Sequence, residues 1–224
     1  MHDLNLIQQL AVFVLPLIFA ITVHETAHGW VADKLGDHTA RMQGRITLNP
    51  IPHIDPVGTL LVPLALYAVS SLSGGGGMLF GWAKPVPIDP RNFRHYRRDM
   101  ALTAAAGPAS NLLMMLGWAL VLRLTLGMES LSQWVAAPLA YMALGGILIN
   151  GLLMVLNLLP ILPLDGGRVV ASLLPPRLAL PYSRLEPWGM FVLIALMATG
   201  LLGAILLPAL EGVQSLAYRM AGIL

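Results

Sequence analysis

Long runs without a single charge constrain this chain more than any other feature. Met100–Leu122, Trp134–Leu164 and Trp188–Leu210 contain no Asp, Glu, Lys or Arg. Each reaches the length of about 20 apolar residues that a helix needs to cross a bilayer core. Leu4–Val23 is apolar apart from Asn5, Gln8, Gln9 and Thr22, and runs directly into His24. Only 11% of the 224 residues are charged, whereas a soluble domain carries about 25%. These runs exclude a soluble globule and a disordered chain. They predict an all-α polytopic membrane protein with four to five transmembrane helices. Pro56–Leu72 is uncharged but short, and Gly58 and Pro63 interrupt it. With the Gly74–Gly77 run and the Pro-rich Ala83–Pro90 stretch, it predicts a re-entrant or extended segment around residues 56–90, with a plain flexible loop at Gly74–Gly77 as the alternative. Backbone of that kind survives at membrane depth only where protein or a wet cavity covers it.

Orientation follows from Lys and Arg placement. No basic residue precedes the first run, whereas Lys34, Arg41 and Arg45 follow it and Arg91, Arg94, Arg97 and Arg98 lead into Met100–Leu122. This places the N-terminus outside and both ends of Ala40–Asp99 in the cytoplasm. The first run lacks a basic n-region and a small-residue cleavage site, so it reads as a retained helix. The net charge of +2 gives no reason to expect nucleic acid as a partner. No repeat or soluble domain is visible, and residues 1–224 read as one membrane domain. Its core spans about 4–168, and a peripheral C-terminal helix covers about 185–224.

The chemistry concentrates in His24-Glu25-Thr26-Ala27-His28. Positions i and i+4 share a helix face, so both imidazoles can bind one metal, and Glu25 can reach a water on it. The pattern points to zinc. The bland reading, two structural histidines at a membrane boundary, is weakened because ionisable groups on an apolar helix are costly. The chain has no cysteine, so a third protein ligand, which catalytic zinc usually has, must be a carboxylate or another histidine. Lys34 occupies the place where a longer zinc-protease motif would put its histidine, and no Glu lies between Glu25 and Glu129. Asp33, Asp37, Asp55, Asp89 and Asp99 sit beside basic or turn-forming residues and read as solvated or capping groups. Asp165 differs: Pro160 and Pro163 break a helix just before it, and Gly166-Gly167 let the chain turn sharply after it. Its competing reading is a helix-capping pair with Arg168.

His24–His28 on one apolar run, with Asn157…Leu164-Asp165-Gly166-Gly167-Arg168 closing a later one, resembles the site-2 protease family of intramembrane zinc metalloproteases. Gly107-Pro108-Ala109-Ser110-Asn111 and Gly81-Trp82-Ala83-Lys84-Pro85-Val86-Pro87 extend the likeness, which covers about Leu10 to Arg168 and is nearest to compact prokaryotic members without a PDZ or CBS insertion. The resemblance implies one zinc ion held by His24, His28 and Asp165, with Glu25 as catalytic base and Asn157 holding substrate near the site. An Asn amide can donate to a peptide carbonyl or developing oxyanion, but it can equally bind helices together. Gly107, Pro108 and Asn111 read as helix-packing residues. His53 reads either as an auxiliary zinc ligand or as a turn histidine. The basic cluster of Arg91–Arg98 reads as meeting anionic headgroups.

The function implied is an intramembrane zinc endopeptidase acting on membrane proteins with a transmembrane segment, multi-pass in a prokaryotic inner or plasma membrane. Its site would lie within the bilayer toward the cytoplasm, because His24 follows the largely apolar 14 residues Leu10–Val23, about 21 Å of helix. An unwound substrate would pair with Arg45–Leu48 or Ala83–Ile88 by strand addition, with access gated by peripheral helices including Trp188–Leu210. A membrane metal transporter or metal-sensing protein using the same His/Asp group is the alternative reading, and a catalytically dead scaffold a weaker one.

Overall fold

The computed structural model describes residues 6–62, 81–127 and 133–224. Every regular element among them is helical: α1 (Leu6–Leu35), α2 (Thr39–Met42), α3 (Tyr96–Leu126), α4 (Gln133–Asn157), α5 (Asp165–Leu173), α6 (Pro176–Ser183), α7 (Glu186–Ala198) and α8 (Leu201–Ala221). Short turns at Ile51–His53, Pro56–Leu61 and Pro90–Asn92 punctuate the connections. Four of these helices are long and apolar enough to cross a membrane, within α1, α3, α4 and α8. The chain is an integral membrane protein. Val14, Leu15, Leu17, Ile18 and Phe19 on α1 are exposed, as a lipid-facing surface requires.

The hub is α3, which packs against α1, α4, α5 and α8. Its C-terminal half joins Met115, Ala119 and Leu122 to Ala143 and Ile147 of α4 and Ala217 and Ala221 of α8, all buried. In lipid no hydrophobic force draws helices together, so small residues that permit close packing do this work. The N-terminal half of α3 runs beside α1 and holds the polar residues described below.

Two expectations are modified. Trp188–Leu210 is not one helix: it breaks at Thr199–Gly200, where Gly200 has φ +75°. That left-handed turn is open to glycine at little cost. It leaves α7 too short to span and lets α8 run on to Ala221. Trp134–Leu164 stops being helical at Asn157, ahead of Pro160 and Pro163, as prolines dictate. For the segment around 56–90, Pro56–Leu61 forms one helical turn capped by the Asp55 carboxylate. Residues 81–89 have no regular structure, Arg45–Leu48 forms bends and not a strand, and the rest of Pro56–Leu72, with Gly74–Gly77, lies outside the described residues.

Candidate metal centre

α1 carries His24 and His28 one turn apart, both 7% exposed. Asp165 is the first residue of α5, brought under them because the chain reverses through Leu158–Leu164. That reversal needs glycine: a Cβ on Gly166 would lie 2.4 Å from the Leu158 carbonyl oxygen, and one on Gly167 2.5 Å from the Leu162 nitrogen. Asp165 Oδ2 then stands 3.1 Å from His24 Nε2 and 3.3 Å from His28 Nε2, and the two nitrogens are 3.1 Å apart. Arg168 turns away to Glu186 at 3.9 Å, so the capping pair with Asp165 is not what forms.

The outer nitrogens settle which atoms face inward. His28 Nδ1 donates to the Thr103 carbonyl at 2.7 Å. His24 Nδ1 meets Asn111 Oδ1 at 2.5 Å; Asn111 Nδ2 donates to Asn150 Oδ1 at 2.9 Å, and Asn150 Nδ2 to the Gly146 carbonyl at 2.9 Å. A backbone carbonyl can only accept, so it orients both amides and makes His24 Nδ1 the N–H. With each ring's proton committed outward, both Nε2 lone pairs and a carboxylate oxygen converge. Three lone pairs at this spacing repel one another unless a cation lies between them.

The dimensions suit zinc. Tetrahedral Zn–N and Zn–O bonds of about 2.0–2.1 Å put ligand atoms about 3.3 Å apart, close to all three edges observed. Among the described residues, His24, His28 and Asp165 form the one group of three or more such side chains able to hold a metal. Gly107 of α3 faces the pair; a Cβ there would stand 2.4 Å from His28 Nε2 and 2.5 Å from His24 Cε1. Its missing side chain is the room the two rings occupy.

A search of curated proteins supplies relatives with the same chemistry in their names. "Putative zinc metalloprotease YwhC" of Bacillus subtilis is 39% identical over 200 residues, covering 88% of this chain and 85% of the relative. The chain belongs to the site-2 protease family. "Putative zinc metalloprotease Rip2" of Mycolicibacterium smegmatis is 27% identical over 195 residues, covering 84% of this chain and 68% of the relative. No family model and no solved structure matches. The protease is thus a zinc metalloprotease of bacterial type embedded in a membrane.

The remaining candidates lie around this centre. Glu25 is half-buried, and its Oε2 accepts a hydrogen bond from the Val86 amide at 2.8 Å; Oε1 has no hydrogen-bond partner among the described residues. Asn157 ends α4 with its amide donating to Leu153 O, one turn back, at 3.0 Å. His53 is 2% exposed and sits in the loop below α1 with Nε2 3.1 Å from the Thr47 carbonyl. It is not part of the metal-holding group. Asp55 and Asp89 do cap short turns. Asp33, Asp37 and Asp99, read as solvated or capping groups, are buried and not solvated; Asp37 and Asp99 accept the backbone N–H groups of Thr39 and His95 at helix starts, and Asp33 pairs with Arg41. Asn111 and Gly107, read from sequence as packing residues, touch the histidines directly. Asn150 is not singled out by any motif, though an amide in the middle of an uncharged span is costly unless paired.

Proposed function

We propose that this protease is an intramembrane zinc endopeptidase, hydrolysing peptide bonds within or near transmembrane segments of membrane-protein substrates from a site on the cytoplasmic side. One observation carries the reading. The converging lone pairs of His24, His28 and Asp165 lie on and between helices apolar enough to be membrane-embedded, next to a carboxylate that takes no part in the group.

In this reading His24, His28 and Asp165 hold zinc, which when bound polarises the scissile carbonyl and acidifies a water. Glu25 handles the protons, accepting one at its carboxylate as water attacks and returning it to the leaving amine nitrogen. The Val86 N–H fixes Oε2, so Oε1 is the oxygen available for that exchange. Asn111 and the Thr103 carbonyl hold the two rings in the tautomer that presents Nε2. Asn157 is assigned to substrate carbonyl binding through the second N–H of its Nδ2, since Leu153 O takes only one of the two.

Substrate would lie along Ala83–Ile88. The amides of Trp82, Lys84 and Val86 are already spent on Gly58 O, His53 O and Glu25, and Pro85 and Pro87 have none. An added strand would therefore supply most of the donors. If a Gly/Ser linker in place of Ala83–Ile88 leaves cleavage unchanged, the pairing is wrong.

The deciding experiment incubates the full chain in proteoliposomes with a transmembrane-peptide substrate. Cleavage that is lost with a zinc chelator, restored by zinc, and lost in Glu25→Gln with zinc retained supports the endopeptidase. Zinc flux without cleavage would favour the transporter. Against transport, the polar chain from His24 through Asn111 and Asn150 ends on the Gly146 carbonyl, one turn back along α4.

A further inference from the structure

On the side of α1 away from Glu25, an apolar groove of about 370 Å³ runs between α1 and α3. Trp30, Val31 and Lys34 form one wall, and Leu102, Ala105 and Ala109 the other. Glu25 and Gly29 face the opposite way, toward Val86. The groove's walls are carbon almost throughout, yet one end is basic. Lys34 Nζ lies 5.8 Å over the Trp30 ring. Arg98 occupies the α3 stripe one turn before Leu102, and Arg94 lies against Gly36, two residues beyond Lys34. All three cations are exposed. Among the described residues no carboxylate pairs with them, since Asp33, Asp89 and Glu186 are engaged by Arg41, Arg91 and Arg168.

From this juxtaposition we infer that the groove is a binding site for one anionic phospholipid, its acyl chain against Ala105 and Ala109 and its phosphate at Lys34 and Arg98. Length selects the occupant. Arg98 to Ala109 spans eleven residues of α3, about 16 Å, and half of a bilayer core is about 15 Å. The groove proper, Leu102 to Ala109 on α3, covers about 10 Å of that length, too short to seat a transmembrane helix, and only with Arg98 one turn before it does the basic end plus groove match the depth of one leaflet. Charge selects the headgroup, because basic residues between helices at a membrane face hold anionic headgroups. Trp30 supplies the amphipathic ring that favours this interfacial level. This inference is independent of the catalytic reading.

Trp30 is also the reporter. The full chain is placed in phosphatidylcholine nanodiscs, and tryptophan fluorescence is followed as brominated phosphatidylglycerol replaces a small fraction of the lipid. A saturable quenching phase is expected at low mole fraction, absent when brominated phosphatidylcholine is used and lost in Trp30→Phe. Lys34→Gln and Arg98→Gln should each raise the half-saturating fraction about fivefold, and Ala105→Leu, which fills the groove without changing charge, should shrink the phase. Equal quenching by the two brominated lipids in the unmodified protein would overturn the site, whatever the variants do. So would a phase that survives Trp30→Phe or is indifferent to both charge substitutions.

Discussion

The two ends of one stretch of chain carry the same residue types to opposite effect. At its middle, α1 offers His24 and His28 to Asp165; just past its end, His38 and Arg41 meet Asp33. In the second cluster every meeting is donor to acceptor. Asp33 is 4% exposed and accepts from His38 Nδ1 at 2.8 Å and from the Arg41 guanidinium, so it is a completed ion pair. In the first cluster the donors all point outward, to Asn111 and Thr103, and three acceptors face one another. Histidine–carboxylate proximity does not distinguish a metal centre from a salt bridge. The direction in which the imidazole protons are committed does.

That difference can be broken from the inside. Asp165→Asn and Gly107→Ala should each abolish stoichiometric zinc, read by metal analysis of purified protein. The first removes an anionic ligand, and the second drives a methyl group into the space of the rings. Glu25→Gln should leave zinc in place and lower cleavage about 10²–10⁴-fold, the range for a lost general base. Next comes the proton-directing chain. Asn111→Leu removes the acceptor for His24 Nδ1 and should weaken zinc about 10–100-fold, measured against a competing chelator. Asn150→Ala, one bond further out, should fall at the lower end of that range. Unchanged zinc affinity in both would mean that the tautomer is not set by this chain.

Much of this was legible before any coordinates. The uncharged runs gave the class and most of the spans, and the i, i+4 histidines gave the metal, because helix geometry fixes their relation locally. Asp165 could be chosen among the six aspartates that follow His28 since prolines and glycines flank it alone in that way. The break at Gly200 was not legible, because a single glycine in an apolar run is ordinary and its φ depends on tertiary packing. Nor was the Asn111–Asn150 bond, whose partners are 39 residues apart on different helices. An unpaired amide in a span announces that it has a partner but not which one. Gly107 was seen but read as a packing residue, since only the facing rings reveal that its emptiness is functional.

The completed cluster makes the smaller predictions. Asp33→Asn should leave zinc and cleavage intact and cost about 1–2 kcal/mol of stability by thermal denaturation, modest because His38 and Arg41 are largely exposed. Asp37, four residues on, is fully buried and ties the end of α1 to the following loop. It accepts from the Thr39 amide and hydroxyl at 3.1 and 2.5 Å, the Asn92 amide at 2.9 Å and the Asp89 N–H at 2.7 Å. Burial alone would raise its pKa, but hydrogen bonds from Asn92, Thr39 and Asp89 outweigh that and hold it below 3.8. A carboxylate depressed in the folded state binds its proton more readily when unfolded, so its contribution is complete above the unfolded pKa and is lost as pH falls through the folded one. The melting temperature of Asp37→Asn should therefore lie below that of the unmodified protein by a constant margin from about pH 5 to 7, narrowing only below about pH 4. A margin that widens on acidification would mean that the four donors do not favour the charged form.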